Sequence, residues 1–207
     1  WADGWSGEII LPNGPFVIDV FDMSSSGTEV WMVPGGRDGS WGNIWKAPSI
    51  SYLSDGFWHT INRNNVDYLD DIRDILAVCV DPFDPSRAYV GTWGFGLLEF
   101  RDGSLENHFT EENSSLQPYA EEAGVKAGGL CFDSNHNLWV TNSNAGSILS
   151  VLKNDGDWKA FNLGSIATGI DMGALVIDHW NQKWMLVRDH SLIVFNDNNT
   201  LDNTSDD

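Results

Sequence analysis

The sequence predicts an all-β chain, a β-propeller segment built of four-stranded antiparallel blades. Three observations carry this: one pattern recurs four times, its copies follow every 45 to 59 residues, and each holds short strands divided by turn residues. The recurring pattern is an apolar run ending in Asp, a short polar turn, and a second strand bearing an aromatic residue. Its copies read FVIDVFDMSSSGTEVWMV, ILAVCVDPFDPSRAYVGT, AGGLCFDSNHNLWVTN and GALVIDHWNQKWMLV. The acids are Asp22, Asp81, Asp133 and Asp178, and the aromatics Trp31, Tyr89, Trp139 and Trp184, separated by 9, 8, 6 and 6 residues.

Each unit continues with a third strand, SISYLSDG, GLLEFRDG, SILSVLKNDG or SLIVFNDNN. The first three add a fourth, FWHTINRN, SLENHFTEENS and DWKAFNLGS. Strands rich in Val, Ile, Phe and Trp, joined at D-G and N-D turns, are antiparallel hairpin material. The chain thus divides into blades at approximately 14–64, 72–115, 126–165 and 172–207, the last incomplete. Its missing outer strand is expected either from the N-terminal GEIIL, closing a ring of about four blades, or from residues beyond this segment of a larger propeller. Helix is expected only as a short insertion at 66–73, since the apolar runs are too short and too broken by Gly and Pro.

Composition restricts the partners. The 207 residues carry 30 acidic against 11 basic side chains, a formal charge of −19. Such a surface repels phosphate backbones and lacks the Lys/Arg contacts of nucleic-acid binding, so no nucleic-acid partner is expected. No run approaches the roughly 20 apolar residues of a spanning helix, so the segment is not membrane-spanning by helix. A start at Trp1 and an end at Asp206 and Asp207 suggest a piece cut from a longer protein.

No catalytic constellation is visible. His59, His108, His136, His179 and His190 have neither H-x-x-x-H nor H-E-x-x-H spacing, and neither a nucleophile elbow nor a P-loop is present. The oxygens of DSNHNLW (133–139) alternate as in a calcium loop, but no Gly at the bend and no closing Glu follow. A turn in which Asp and Asn bond their own backbone is the better reading, and neither metal nor cofactor is expected. The four repeat acids occupy equivalent strand ends and could converge on one mouth of the channel. Cys79 and Cys131, each two residues before its Asp, are expected as two buried thiols rather than a bridge between diverging blades.

Tryptophan is the informative excess, with 11 residues. Trp31, Trp139 and Trp184 belong to the repeat and should pack between blades. Trp41, Trp45 and Trp93 sit instead in the Gly-rich stretches GSWGNIW and GTWGFG, where an exposed indole is costly unless it stacks on a partner. These three are the candidate ligand-binding residues, for a sugar or a protein surface; the alternative is that they cover a blade edge.

FDSNHNLWVTNSNAGSILSV resembles the propeller repeat of Bacteroidetes hybrid two-component regulators. A narrower resemblance covers most of the chain: NGPFVIDV, VPGGRDGSWGNIWKAPSISYLSDGFWHTIN, AVCVDPFDPSRAYVGTWGFGLLEFRDG, ENSSLQ and GGLCFDSNHNLWVTNS are similar to PorZ-like surface proteins of the type IX secretion system. That resemblance implies an exported, non-enzymatic role in attaching cargo to surface anionic lipopolysaccharide. The implied partners are other type IX secretion components or the surface glycolipid, at the cell surface or in the periplasm. Two alternatives stand beside it: a ligand-sensing periplasmic propeller of a hybrid regulator, and a propeller hydrolase or lyase, which requires converging acids and an ion on the axis.

Overall fold

The computed structural model describes residues 13–120, 123–164, 167–189 and 191–203. Fifteen strands among them form four antiparallel sheets with sequential strand order. The first holds β1 (Asp22–Ser26), β2 (Glu29–Val33), β3 (Ser49–Ser54) and β4 (Phe57–Asn62). The second holds β5 (Ile75–Val80), β6 (Arg87–Thr92), β7 (Leu97–Arg101) and β8 (Ser104–Phe109). In the third are β9 (Ala127–Phe132), β10 (Leu138–Asn142), β11 (Leu149–Leu152) and β12 (Trp158–Phe161). The fourth has three described strands, β13 (Met172–Ile177), β14 (Lys183–Val187) and β15 (Ser191–Phe195). The expected contribution of GEIIL lies outside the described residues.

Consecutive sheets meet along their first strands, β1 beside β5, β5 beside β9 and β9 beside β13. These inner strands run the same way round an axis, so every inner strand starts on one face of the ring and ends on the other. The alternation of each strand sends one set of side chains to the preceding blade and the other to the following one, which makes the core a series of apolar layers between blades. Trp31, Ile50, Val78, Val90 and Phe100 fill the first layer; Tyr89, Leu97, Leu138 and Val140 the second; Trp139, Phe161, Met185 and Phe195 the third. Trp31 stacks on Tyr52 at 4.7 Å between ring centroids, and Trp139 on Phe161 at 5.2 Å. The inner strands approach so closely that a methyl group on Gly129 would stand 2.4 Å from the Gly173 carbonyl oxygen. Glycine is required there by packing.

The repeat acids have a structural explanation. The Asp133 carboxylate accepts the Asn135 and Asn137 amides at 2.9 Å, the Asn137 side-chain amide at 2.9 Å and the Trp139 indole N–H at 2.9 Å. Asp178 does the same for the Trp180 and Gln182 amides at 2.9 Å and the Trp184 indole at 3.0 Å. One carboxylate thus closes the turn and anchors the aromatic six residues on, so DSNHNLW is a turn. In the second unit the longer turn and Tyr89 break this arrangement. Asp81 caps Phe83 at 2.8 Å and receives His136 of the next blade at 2.6 Å, while the Tyr89 hydroxyl donates to Glu99 at 2.9 Å.

Three expectations are corrected. Asp22 opens β1 instead of ending it, because the first hairpin turns at Gly27 and Thr28; its carboxylate lies beside Val78 on the axial cavity rather than in a turn like those of Asp81, Asp133 and Asp178, and the four acids do not converge. Its carboxylate accepts the Val78 amide at 2.9 Å, and the Ser24 hydroxyl accepts the Val80 amide at 2.9 Å, so β1 side chains satisfy the open edge of β5. The insertion at 66–73 is only one 3-10 turn, Asp67–Leu69. Trp184 is 38% exposed, and with Val176, Leu192 and Val194 it forms an uncovered apolar face on the fourth sheet, which has no described blade on that side.

Cys79 and Cys131 are free thiols, unbridged as expected but half-buried rather than buried. Burial, with the neighbouring Cys131 thiol a smaller cause, pushes the Cys79 thiol up to about 12. Titration of denatured protein without reductant is therefore expected to find two thiols, and native protein to react slowly at Cys79; absence of thiols after denaturation would contradict the packing.

Candidate ligand-contact surface at the channel mouth

The four inner strands enclose a cavity of about 390 Å³ on the axis. Its mouth lies where those strands begin, and the segments gathered there are the loop after β2, the turn after β6, the residues preceding β9 and β13, and the end of β14. All three candidate tryptophans belong to this face, and the structure places them differently.

The loop from Gly35 to Lys46 is folded over the mouth by two carboxylates. Asp38 accepts the Ser40 and Gly42 amides at 2.8 and 2.9 Å. Asp74, fully buried, accepts the Asn43 side chain at 2.9 Å and the amides of Trp45 and Lys46 at 3.1 and 2.7 Å. Asn43 also donates to the Trp93 carbonyl, tying the loop to the second sheet. Within this frame Trp41 and Trp45 adopt positive φ values of 64° and 59°, and Asp74 one of 53°. Left-handed backbone at bulky residues is a cost that the surrounding contacts sustain, and such strain concentrates at functional sites.

Trp93 is 0% exposed. Its indole N–H donates to the Trp41 carbonyl at 2.8 Å, and the Trp41 ring meets it edge-on at 6.1 Å. Trp41, half-buried, reaches across the axis to β13, where a methyl on Gly173 would come within 2.9 Å of its ring. Trp45 is 66% exposed, with the edge of Phe95 6.4 Å away. Of the three, Trp45 alone offers a free indole face, while Trp93 and Trp41 form the floor. Trp45→Ala is expected to leave the melting temperature nearly unchanged, as for other surface substitutions; a fall of several degrees would assign Trp45 to packing.

Two cations flank that floor, and sequence reasoning missed both. The Arg37 guanidinium lies 3.7 Å from the Trp41 ring centroid and 5.3 Å from that of Trp93. The Lys126 ammonium lies 5.0 Å from Trp93 and 4.2 Å from Tyr119. Burial lowers the proton affinity of both, opposed by the Asp171 carboxylate. Asp171 is itself paired with Arg188 at 3.1 Å. No sequence motif links residues 37 and 126, which belong to different blades, and only the fold brings them to one indole.

Elsewhere among the described residues the buried side-chain atoms without a hydrogen-bond partner, Ser49 Oγ, Ser51 Oγ, Arg87 Nε, Ser115 Oγ, Trp158 Nε1 and Asn181 Oδ1, are scattered over the four sheets. A cavity of about 280 Å³ between the second and third sheets contains Glu99, whose carboxylate is engaged by Tyr89 at 2.9 Å, Asn107 at 2.7 Å and Arg87 at 3.2 Å. Asp81, Asp133 and Asp178 are turn acceptors on the face opposite the mouth. Among the described residues no three His, Cys, Asp or Glu side chains are grouped to hold a metal ion.

No protein-family model matches the chain, and no curated protein sequence matches it. Solved structures do. PorZ, an essential surface component of the type IX secretion system of Porphyromonas gingivalis, superposes with a TM-score of 0.82 at 25% identity, over 96% of this chain and 28% of PorZ. A gluconolactonase from Xanthomonas campestris gives 0.51 at 15% identity, over 80% of this chain and 52% of the enzyme, a likeness of fold alone. The extracellular domain of a putative hybrid two-component system from B. thetaiotaomicron gives 0.46 at 14%, over 88% of this chain and 27% of that one. The chain spans little more than a quarter of PorZ. It is an all-β propeller segment that resembles PorZ in sequence and fold over nearly its whole length.

Proposed function

We propose that this chain is a non-catalytic binding and scaffolding module of an exported, PorZ-like type IX secretion protein, and that it takes part in attaching cargo to surface anionic lipopolysaccharide. The observation that carries the reading is the superposition on PorZ over 96% of this chain, with a TM-score of 0.82 against 0.51 for the gluconolactonase. In this reading it acts outside the cytoplasm, on the cell surface or in the periplasm, with other secretion components or the glycolipid as partners. Its blades run approximately 14–64, 72–115, 126–165 and 172–207, and the uncovered face of Val176, Trp184 and Val194 supports a place within a larger ring. The contact surface is the channel mouth, with Trp45 as its exposed aromatic.

The test is binding of the 207-residue chain to purified anionic lipopolysaccharide beside neutral glycans, with and without calcium. Selective, saturable, calcium-independent binding is expected. Absence of binding under all conditions would remove the glycolipid from this module.

A further inference from the structure

The channel mouth holds an electrostatic anomaly. In a chain of charge −19, three of the 11 basic residues, Arg37, Lys126 and Arg188, meet at one place, and the carboxylate acting on them is Asp171. Asp171 is held by Arg188 and approached by the Ser143 hydroxyl at 3.5 Å. Among the described residues, Arg37 and Lys126 form no ion pair within 4.0 Å, and Arg37 Nη1 is buried without a hydrogen-bond partner. Their other neighbours are aromatic faces, which stabilise a cation but cannot accept the directed hydrogen bonds of guanidinium and ammonium. Asp22 shares the axial cavity with Arg37, but its carboxylate is taken by the Val78 and Met23 amides. Asp74 is likewise taken by Asn43, Trp45 and Lys46.

We propose that Arg37 and Lys126 form a subsite for an oxyanion, the carboxylate or phosphate group of an acidic saccharide, seated against Trp41 at the channel mouth with the sugar ring toward Trp45. This deepens the binding-module reading and rests on it for the saccharide; the anion chemistry rests on the residues alone. A planar guanidinium suits either oxyanion bidentately, and a flanking ammonium adds a point charge. Desolvation of the two cations, which lowers their proton affinity, is relieved when an anion arrives.

The experiment titrates the chain with inorganic phosphate, glucose 1-phosphate, glucuronate and glucose, reading indole emission and heat. At least one anion is expected to bind at least tenfold more tightly than glucose, weakening as salt is raised. Preference for glucuronate identifies a carboxylate and preference for glucose 1-phosphate a phosphate ester. Arg37→Met and Lys126→Met should each weaken that binding at least tenfold, whereas Lys153→Met, in a turn on the opposite face, should not. If Arg37→Met fails to fold, Lys126→Met and the parent titrations still decide. Anions bound no better than glucose, or variants that bind like the parent, overturn the subsite. Lipopolysaccharide binding that survives when Arg37→Met and Lys126→Met are combined in one chain overturns the subsite and leaves the module reading intact. Small-anion binding without lipopolysaccharide binding does the reverse.

Discussion

Replacing Asp133 with Ala should destabilise the chain by about 3 kcal/mol, since several buried donors lose their acceptor together and each unsatisfied one costs about 1–3 kcal/mol. The Trp139 indole, the Asn137 side chain and two turn amides all converge on this carboxylate, and Asp133, Asn137 and Trp139 are buried. For a chain of this size that corresponds to a fall in Tm of roughly 6–12 °C. Asp178→Ala is the matched control. It removes two turn-amide bonds and the indole bond of Trp184, which is 38% exposed, so water can replace the lost acceptor and the fall should be much smaller. Thermal denaturation of the two variants side by side checks this, and equal losses would contradict the burial argument.

The second large effect is expected at Lys183. Its ammonium is fully buried, pairs with the buried Asp197 and lies 4.1 Å from the Trp139 ring centroid. The pair therefore joins the last sheet to the aromatic layer of the third. Lys183→Ala leaves an uncompensated carboxylate in a low-dielectric environment and should cost about 3–5 kcal/mol. The double replacement Lys183→Met with Asp197→Leu removes both charges and should lose far less, because it also removes their desolvation. A double-mutant cycle in urea gives the coupling directly; additive losses would mean that the two groups do not act as a pair.

Much of the architecture is legible because the repeat is physical at the level of single residues. An Asp followed six residues later by Trp is a turn acceptor and its indole donor, and this geometry holds at Asp133 and Asp178. The same pattern misleads in the first unit, where FVIDVFD offers two acids and an apolar run that could be the inner strand. Only the pairing of Asp22 with Val33 reveals that the strand begins there. Register is weakly specified where the alternation is imperfect.

The candidate site is less legible. GSWGNIW and GTWGFG mark Gly-rich loops with unusual tryptophans, but not which indole is floor and which is surface. That depends on Asp74, 31 residues beyond Asn43, drawing the loop inward, and on Gly173 leaving room for Trp41. Arg37 and Lys126 appear in the sequence as scattered cations in an acidic chain. Their significance comes from Trp93, whose uncharged ring centroid lies 5.3 Å from one and 5.0 Å from the other.

We propose the channel mouth as the ligand face of this propeller segment. Hydrogen exchange of the chain with and without anionic lipopolysaccharide tests it most directly. Protection is expected at 35–46, 93–96 and 125–126, with the turns at 81–86 and 133–137 on the opposite face unchanged. Protection at those turns, or binding with no change at the mouth, would contradict it.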